Sequence, residues 1–237
     1  IDETRPTTNK NTIVSNGYKL LKIDTLDNQP ISEKILSKII KNIRTENCDA
    51  LIFSDFRHGI FNKTSIPYLI NSIRKGVFKV ADSQVATRWG NIIDFKDFDL
   101  ITPNEKEARF SLADQDSSIS DVTRRLFDKA KFKNLILKLG ERGIVSVSKQ
   151  KKRSLSFSVP SFAKKVEDSI GAGDALLSYA TLSMLATKSI VISSIIGSIA
   201  AACECEIDGN IAITTDQIIE KIDSIQETTS YKISNRI

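Results

Sequence analysis

From residue 50 onward the chain alternates short apolar runs with amphipathic helical ones, and this alternation limits the possible folds more than any single motif does. Residues 50–53 read as a buried strand ending at Ser54-Asp55, 64–75 as a helix, and 77–81 as a strand ending at Asp82. Residues 100–102 form the next strand, followed by a helix from Pro103 and Asn104 to about Leu112. A helix over 121–130 and a strand over 135–139 come next, closed by Gly140-Glu141-Arg142-Gly143. Strands that recur between helices pack as a parallel sheet covered on both faces, which makes the fold class α/β. In such sheets the ligand crevice lies at the carboxyl ends of the strands. Asp55, Asp82, Asn104, Gly140 and the turn at 168–174 all follow predicted strands, although strand-to-helix loops favour Asp, Asn and Gly in any case.

The rest of the chain fits one domain over 1–237. Residues 12–14 and 18–23 flank Ser15-Asn16-Gly17, a hairpin signal that places a small β unit at about 10–24. Ser32 caps a helix to about Arg44, 144–147 and 155–159 pair as strands, and helices follow at about 189–205 and 215–225. A net charge of +5, with bases interspersed among acids, reads as a solvated surface. The densest basic run, 149–153, lies between two strands and is expected to be a hairpin loop, so no nucleic-acid partner is expected. Cys48, Cys203 and Cys205 match neither a zinc nor a disulfide spacing, and His58 is the sole histidine. A reducing, cytoplasmic setting is expected. No apolar run is long enough to span a membrane, and no G-x-G-x-x-G follows an early strand. The chain opens on Ile1 and its one methionine is Met184, so it is expected to be part of a longer chain.

Two stretches carry chemistry. Asp168-Ser169-Ile170-Gly171-Ala172-Gly173-Asp174 opens the strongest apolar helical run, at 175–185. Small residues at a helix start let backbone N–H groups turn together toward an anion, with the helix dipole adding to them. Asp174, in the first turn, is placed to take a proton from a substrate hydroxyl, and a hydroxyl activated beside a bound phosphate suggests phosphoryl transfer. The plainer reading is a turn plus a helix cap by Asp168 or Ser169. Asn104 and Glu107 lie three apart on one helical turn, suited to a hydrated Mg2+ or, more plainly, to a capping box.

The 168–174 stretch resembles the D-T-x-G-A-G-D signature of ribokinase-like (PfkB-type) carbohydrate kinases, with Ser169 where threonine is usual. Companion motifs follow the family's order: N-x-x-E at Asn104–Glu107, L-G-x-x-G at 139–143, then the glycine turn and an Ala-rich helix at 200–202. The resemblance implies a three-layer α/β/α fold with a mostly parallel sheet, using ATP and Mg2+ to phosphorylate a sugar or sugar phosphate. It makes Asp174 the catalytic base, Gly171, Ala172 and Gly173 the anion hole, and Asn104 and Glu107 the magnesium support through water. Lys138, Gly140, Gly143, Ser198 and Gly209 would contact nucleotide, although Ser198 stands where many relatives carry Asn and Asp208-Gly209 replaces a more basic loop. Asp168 and the Ile170 carbonyl match a monovalent-cation (K+) site.

Within the family the chain looks most like the heptose-phosphate kinase domain of bifunctional ADP-heptose synthesis proteins. That likeness rests on Thr7-Thr8-Asn9-Lys10, 20–24 and 52–59, where Asp55 and His58 would approach the sugar phosphate and His58 replaces a lysine. The family's N-terminal G-G-x-x-x-N region has no counterpart. The hairpin at 10–24 would be a lid or homodimer contact. A noncatalytic nucleotide-binding or assembly module is the alternative.

Overall fold

The computed structural model describes residues 2–16, 18–84, 91–150, 153–209 and 211–234. Gly17 of the expected hairpin turn, 151–152 of the basic run and Asn210 of the loop after the Ala-rich helix lie outside them.

Strands β1 (Asn9–Ser15) and β2 (Tyr18–Thr25) pair antiparallel as a separate two-stranded sheet. Its apolar side chains Ile13, Val14, Tyr18, Leu20, Leu21 and Ile23 are exposed. Helix α1 (Glu33–Thr45) follows, capped by Ser32, whose side chain accepts the Ile35 N–H. The main sheet then runs β3 (Ala50–Asp55), β4 (Phe78–Ser83), β5 (Leu100–Ile101), β6 (Asn134–Lys138), β7 (Ile144–Gln150) and β8 (Arg153–Val159), side by side in that order. The first four are parallel, and β7 runs antiparallel to both β6 and β8; of the basic run expected to be a loop, Lys149, Gln150 and Arg153 belong to the paired strands, and 151–152 lie outside the described residues.

Register explains the three layers. Phe53, Ala81, Ile101, Leu135 and Val147 are successive cross-strand partners, and all join one core. That core is closed by α2 (Ser65–Ser72), α3 (Glu105–Leu112) and α4 (Ile119–Ala130), with α1 laying Leu36, Ile39, Ile40 and Ile43 against it. Val80, Leu100 and Ile136 sit one residue out of phase and point the other way. They meet Leu176, Leu177 and Ala180 of α5 (Ala172–Thr187) and Ile190 of α6 (Ile190–Cys205). Each large apolar side chain so buried stabilises the fold by about 1.5–3 kcal/mol. The last described helix is α7 (Thr215–Ser234), which continues past the expected 225, whereas α2 stops at Ser72, short of 75, because Ile73 turns extended ahead of Gly76 at φ +95°.

Two packing details position the strand-end loops. A Cβ at Gly197 would stand 3.0 Å from Ala180 Cβ, so glycine lets α6 lie close on α5. At Gly143, with φ +81°, a Cβ would come within 2.1 Å of the Val159 carbonyl oxygen, so only glycine lets this turn rest on the end of β8.

Candidate active site

Helix α5 begins at Ala172, too late for Asp168 or Ser169 to cap it. The cap position is Gly171, at φ +90° and with no side-chain bond to the helix, so the turn-plus-cap reading does not hold. Asp168 instead accepts the Ile170 N–H at 3.1 Å, while Cys205 O, at the end of α6, accepts the N–H groups of Glu167 and Asp168. Helices α1, α3, α4 and α6 each receive a side-chain cap, from Ser32, Asn104, Ser118 and Ser189. The first turn of α5 offers its N–H groups and dipole without one, as an anion cradle requires.

Lys138 crosses in front of that cradle. It ends β6, and the strand carries on as a bridge to Asn104, with Lys138 N donating to Pro103 O at 2.9 Å. Its Nζ donates to both Asp82 oxygens, at 3.1 and 3.3 Å, and a Cβ on Gly173 would lie 3.3 Å from it. Thr102 Oγ1 donates to Asp82 Oδ1 at 3.1 Å. Asp82 and Thr102 are buried. Neither was singled out as a site residue from sequence, although Asp82 stood among the strand-end positions.

The two further carboxylates here both have raised pKa values. Burial pushes Glu107 up to about 7, opposed by Lys138 and reinforced by Asp82. Glu107 and Asn104 form the reciprocal capping box: Glu107 Oε2 accepts Asn104 N–H at 2.6 Å, and Asn104 Oδ1 accepts Glu107 N–H at 2.8 Å. Asp174, at the exposed edge, is raised by partial burial and by Asp82, against the charges of Lys138 and Lys10. Lys10 is a residue the sequence reading gave no role. It lies on β1, with its Nζ 5.1 Å from the centroid of the Phe56 ring, and its charge acts on Asp174 and His58 alike.

Two adjoining clefts share Lys138 and Gly140. The first, about 760 Å³, is lined by Gly143, Ala172, Gly173, Ser198, Ala201 and Ala202 among others. The second, about 990 Å³, is lined by Asn104, Arg109 and Phe110 on the other side. Ser198 Oγ is buried with no hydrogen-bond partner among the described residues, on a side chain that borders the first cleft. Gly209, at φ +85°, lines neither cleft.

Asp55 also lines neither cleft. It is 2% exposed and commits Oδ1 to Arg57 N–H at 2.7 Å and Oδ2 to the Arg57 guanidinium and the Asn91 amide, at 3.1 and 2.9 Å. It caps no helix; it ties the end of β3 to its loop. His58 sits under the N-terminal segment, its Nδ1 3.4 Å from Thr8 Oγ1 and its carbonyl 3.1 Å from Arg5 Nη2. Burial, then Lys10, lowers its pKa.

A mostly parallel α/β sheet whose strand ends gather an uncapped glycine turn, a lysine and three carboxylates has the layout of a phosphoryl-transfer enzyme. The chain belongs to the pfkB family of carbohydrate kinases, whose pattern it matches over residues 75–216. It is 27% identical over 228 residues to the bifunctional protein HldE of Bradyrhizobium diazoefficiens, covering 93% of this chain and 45% of that one. It is 24% identical to HldE of Sulfurimonas denitrificans, covering 97% and 48%. The chain thus spans about half the length of these curated relatives. Among solved structures, phosphofructokinase-2 from Escherichia coli in complex with potassium aligns with a TM-score of 0.70 at 16% identity, covering 87% of this chain and 67% of that one. Ribokinase from Thermotoga maritima aligns at 0.69 and 18%, covering 92% and 70%. The fold is therefore ribokinase-like.

Proposed function

We propose that this chain phosphorylates a hydroxyl of a sugar or sugar phosphate at the expense of ATP, with a heptose phosphate as the leading candidate acceptor. The observation that carries this reading is the uncapped start of α5, where Ala172 and Gly173 line one cleft with Lys138 while Asp174, in the same first turn and outside the lining of either cleft, feels the charge of Lys138. Asp174 takes the proton from the attacking hydroxyl, and the first-turn amides of α5 receive the charge that develops on the transferred phosphoryl group. Lys138, held by Asp82, lies beside Gly173 and adds positive charge where the phosphates pass. Gly140 and Gly143 let the chain lie close to the nucleotide, and the orphaned Ser198 hydroxyl meets the base. HldE, the relative named above, supports the heptose assignment.

Among the described residues no three His, Cys, Asp or Glu side chains cluster as a metal site. Mg2+ keeps several waters and binds chiefly through substrate phosphates. Glu107 would support it with the oxygen left over from the capping box, and Asn104 fixes that carboxylate; the ion would neutralise phosphate charge. The β1–β2 hairpin, which brings Lys10 toward Asp174, acts as a lid or dimer contact.

Isothermal titration with ATP and Mg2+, followed by turnover on a panel of sugars and sugar phosphates, tests the reading. Binding with turnover on at least one phosphorylated sugar is expected. Binding without turnover on any of them supports a noncatalytic module instead.

A further inference from the structure

Between β8 and α5 the chain runs from 160 to 171 without helix or strand, and this strap lends Ala163, Lys164, Lys165 and Val166 to the lining of the first cleft. Helix α6 lines the same cleft with Ala201 and Ala202. An irregular segment keeps its place through hydrogen bonds to its neighbours, and here they go to the end of α6. Cys205 O accepts the Glu167 and Asp168 N–H groups at 2.8 and 3.3 Å, and Glu206 Oε1 accepts the Lys164 N–H at 2.6 Å. A backbone carbonyl is present whatever residue stands at 205. The Lys164 bond depends instead on the side chain at 206.

Glu206 is itself held. Lys221 of α7, 8% exposed, donates to its Oε1 and Oε2 at 2.6 and 2.8 Å. Ile218 anchors that part of α7, buried with Ile199, Ala200 and Cys203 of α6. An ammonium that spans both oxygens sets the plane of the carboxylate, and Oε1 keeps a second lone pair for the Lys164 N–H. Three residues further along α7, Ser224 Oγ accepts the Lys164 Nζ at 3.0 Å, so the main chain and the side chain of Lys164 are both tied.

We propose that Glu206 is a positioning residue for nucleotide binding. Its carboxylate, oriented by Lys221, fixes the Lys164 end of the strap and with it the width of the cleft between 163–166 and the alanines of α6. Glu206 lines neither cleft, so it acts through Lys164 and not on the nucleotide. The Cys205 clamp stands between Lys164 and the glycine turn, so a shift at 164 stops at 167–168 and leaves Asp174 in place. ATP affinity therefore depends on Glu206, and kcat does not. The inference rests on the reading of the first cleft as the ATP site.

Two double variants of the full chain isolate the bond, because both lose the ion pair and neither leaves a buried ammonium unpaired. Glu206→Gln/Lys221→Met keeps an acceptor for the Lys164 N–H; Glu206→Met/Lys221→Met, of nearly the same shape, does not. Their melting temperatures should agree within about 4 °C. Titration with ATP and Mg2+ should give the glutamine variant a Kd within about threefold of wild type and the methionine variant one at least about tenfold weaker. At saturating ATP, kcat should stay within about threefold of wild type in both. Without nucleotide, the Lys164 amide hydrogen should exchange at least about tenfold faster in the methionine variant alone. Glu206→Leu/Lys221→Met takes its place if the methionine variant does not fold. A merely structural part for Glu206 would make ATP affinity follow Tm. Equal ATP affinity in the two variants, a tenfold fall in kcat at saturating ATP in the methionine variant, or equal Lys164 exchange overturns the proposal while wild type still binds ATP. A wild-type chain that binds no ATP sinks the kinase reading and this inference with it.

Discussion

Replacing Gly173 with alanine separates what the glycine turn does for folding from what it does for chemistry. Unlike Gly171, Gly173 has no positive φ and occupies the second position of α5, so its backbone accepts alanine without strain. Removing a glycine from a helix is worth about 0.8–1.0 kcal/mol in propensity. Against that gain, the new Cβ would sit 3.3 Å from Lys138 Nζ, a tight contact with the far end of a flexible side chain. Lys138 can yield by a few tenths of an ångström, though it then stretches its bonds of 3.1 and 3.3 Å to Asp82. The net stability change should therefore lie between roughly zero and 1 kcal/mol in favour of the variant, a Tm shift of at most about 4 °C. Turnover should move the other way. The methyl group fills the space between the first-turn amides and the lysine, where the transferred phosphoryl group would pass, and misplacement of that kind costs about 10²-fold. Thermal melts and steady-state kinetics on one preparation read both effects. Wild-type turnover in Gly173→Ala, or a loss of more than about 2 kcal/mol of stability, would refute the reasoning.

Two further changes probe the carboxylates. The folded pKa of Glu107, about 7, is above its ordinary 4.5, so its contribution to stability is fullest below 4.5 and is lost as pH rises through 7. Glu107→Gln, which keeps an acceptor for Asn104 N–H, should therefore match wild type near pH 4.5 and exceed it in urea melts at pH 8; equal stability at both pH values contradicts the assignment. Lys10 lowers the pKa of Asp174, so Lys10→Met should move the acid limb of the kcat profile to higher pH, and an unmoved or lowered limb argues against the hairpin's reach.

The layered fold could be read from the chain because its cause is local. Strand residues such as Val80 and Ala81 are apolar on both faces, and amphipathic stretches such as 35–43 show their period without any tertiary information. The glycine turn and the Asn104–Glu107 pair were visible for the same reason: each is a short stretch whose spacing fixes its geometry. Contacts between distant stretches were not legible. The Asp82–Lys138 bond joins the ends of two strands 56 positions apart, and Lys10 reaches Asp174 from the N-terminal hairpin. Sequence showed Asp82 only as one more acid after a strand. Asp55 is a related case: its position after β3 matches the others, but that its oxygens turn inward to Arg57 and Asn91 could not be read from the sequence.

The account depends most on Asp174 acting as the base that frees the acceptor hydroxyl. Asp174→Asn keeps the shape of the side chain and removes its basicity, so phosphoryl transfer to the best acceptor should fall by at least about 10²-fold while the ATP Kd stays within about threefold of wild type. Near-normal transfer by the asparagine variant would contradict the account.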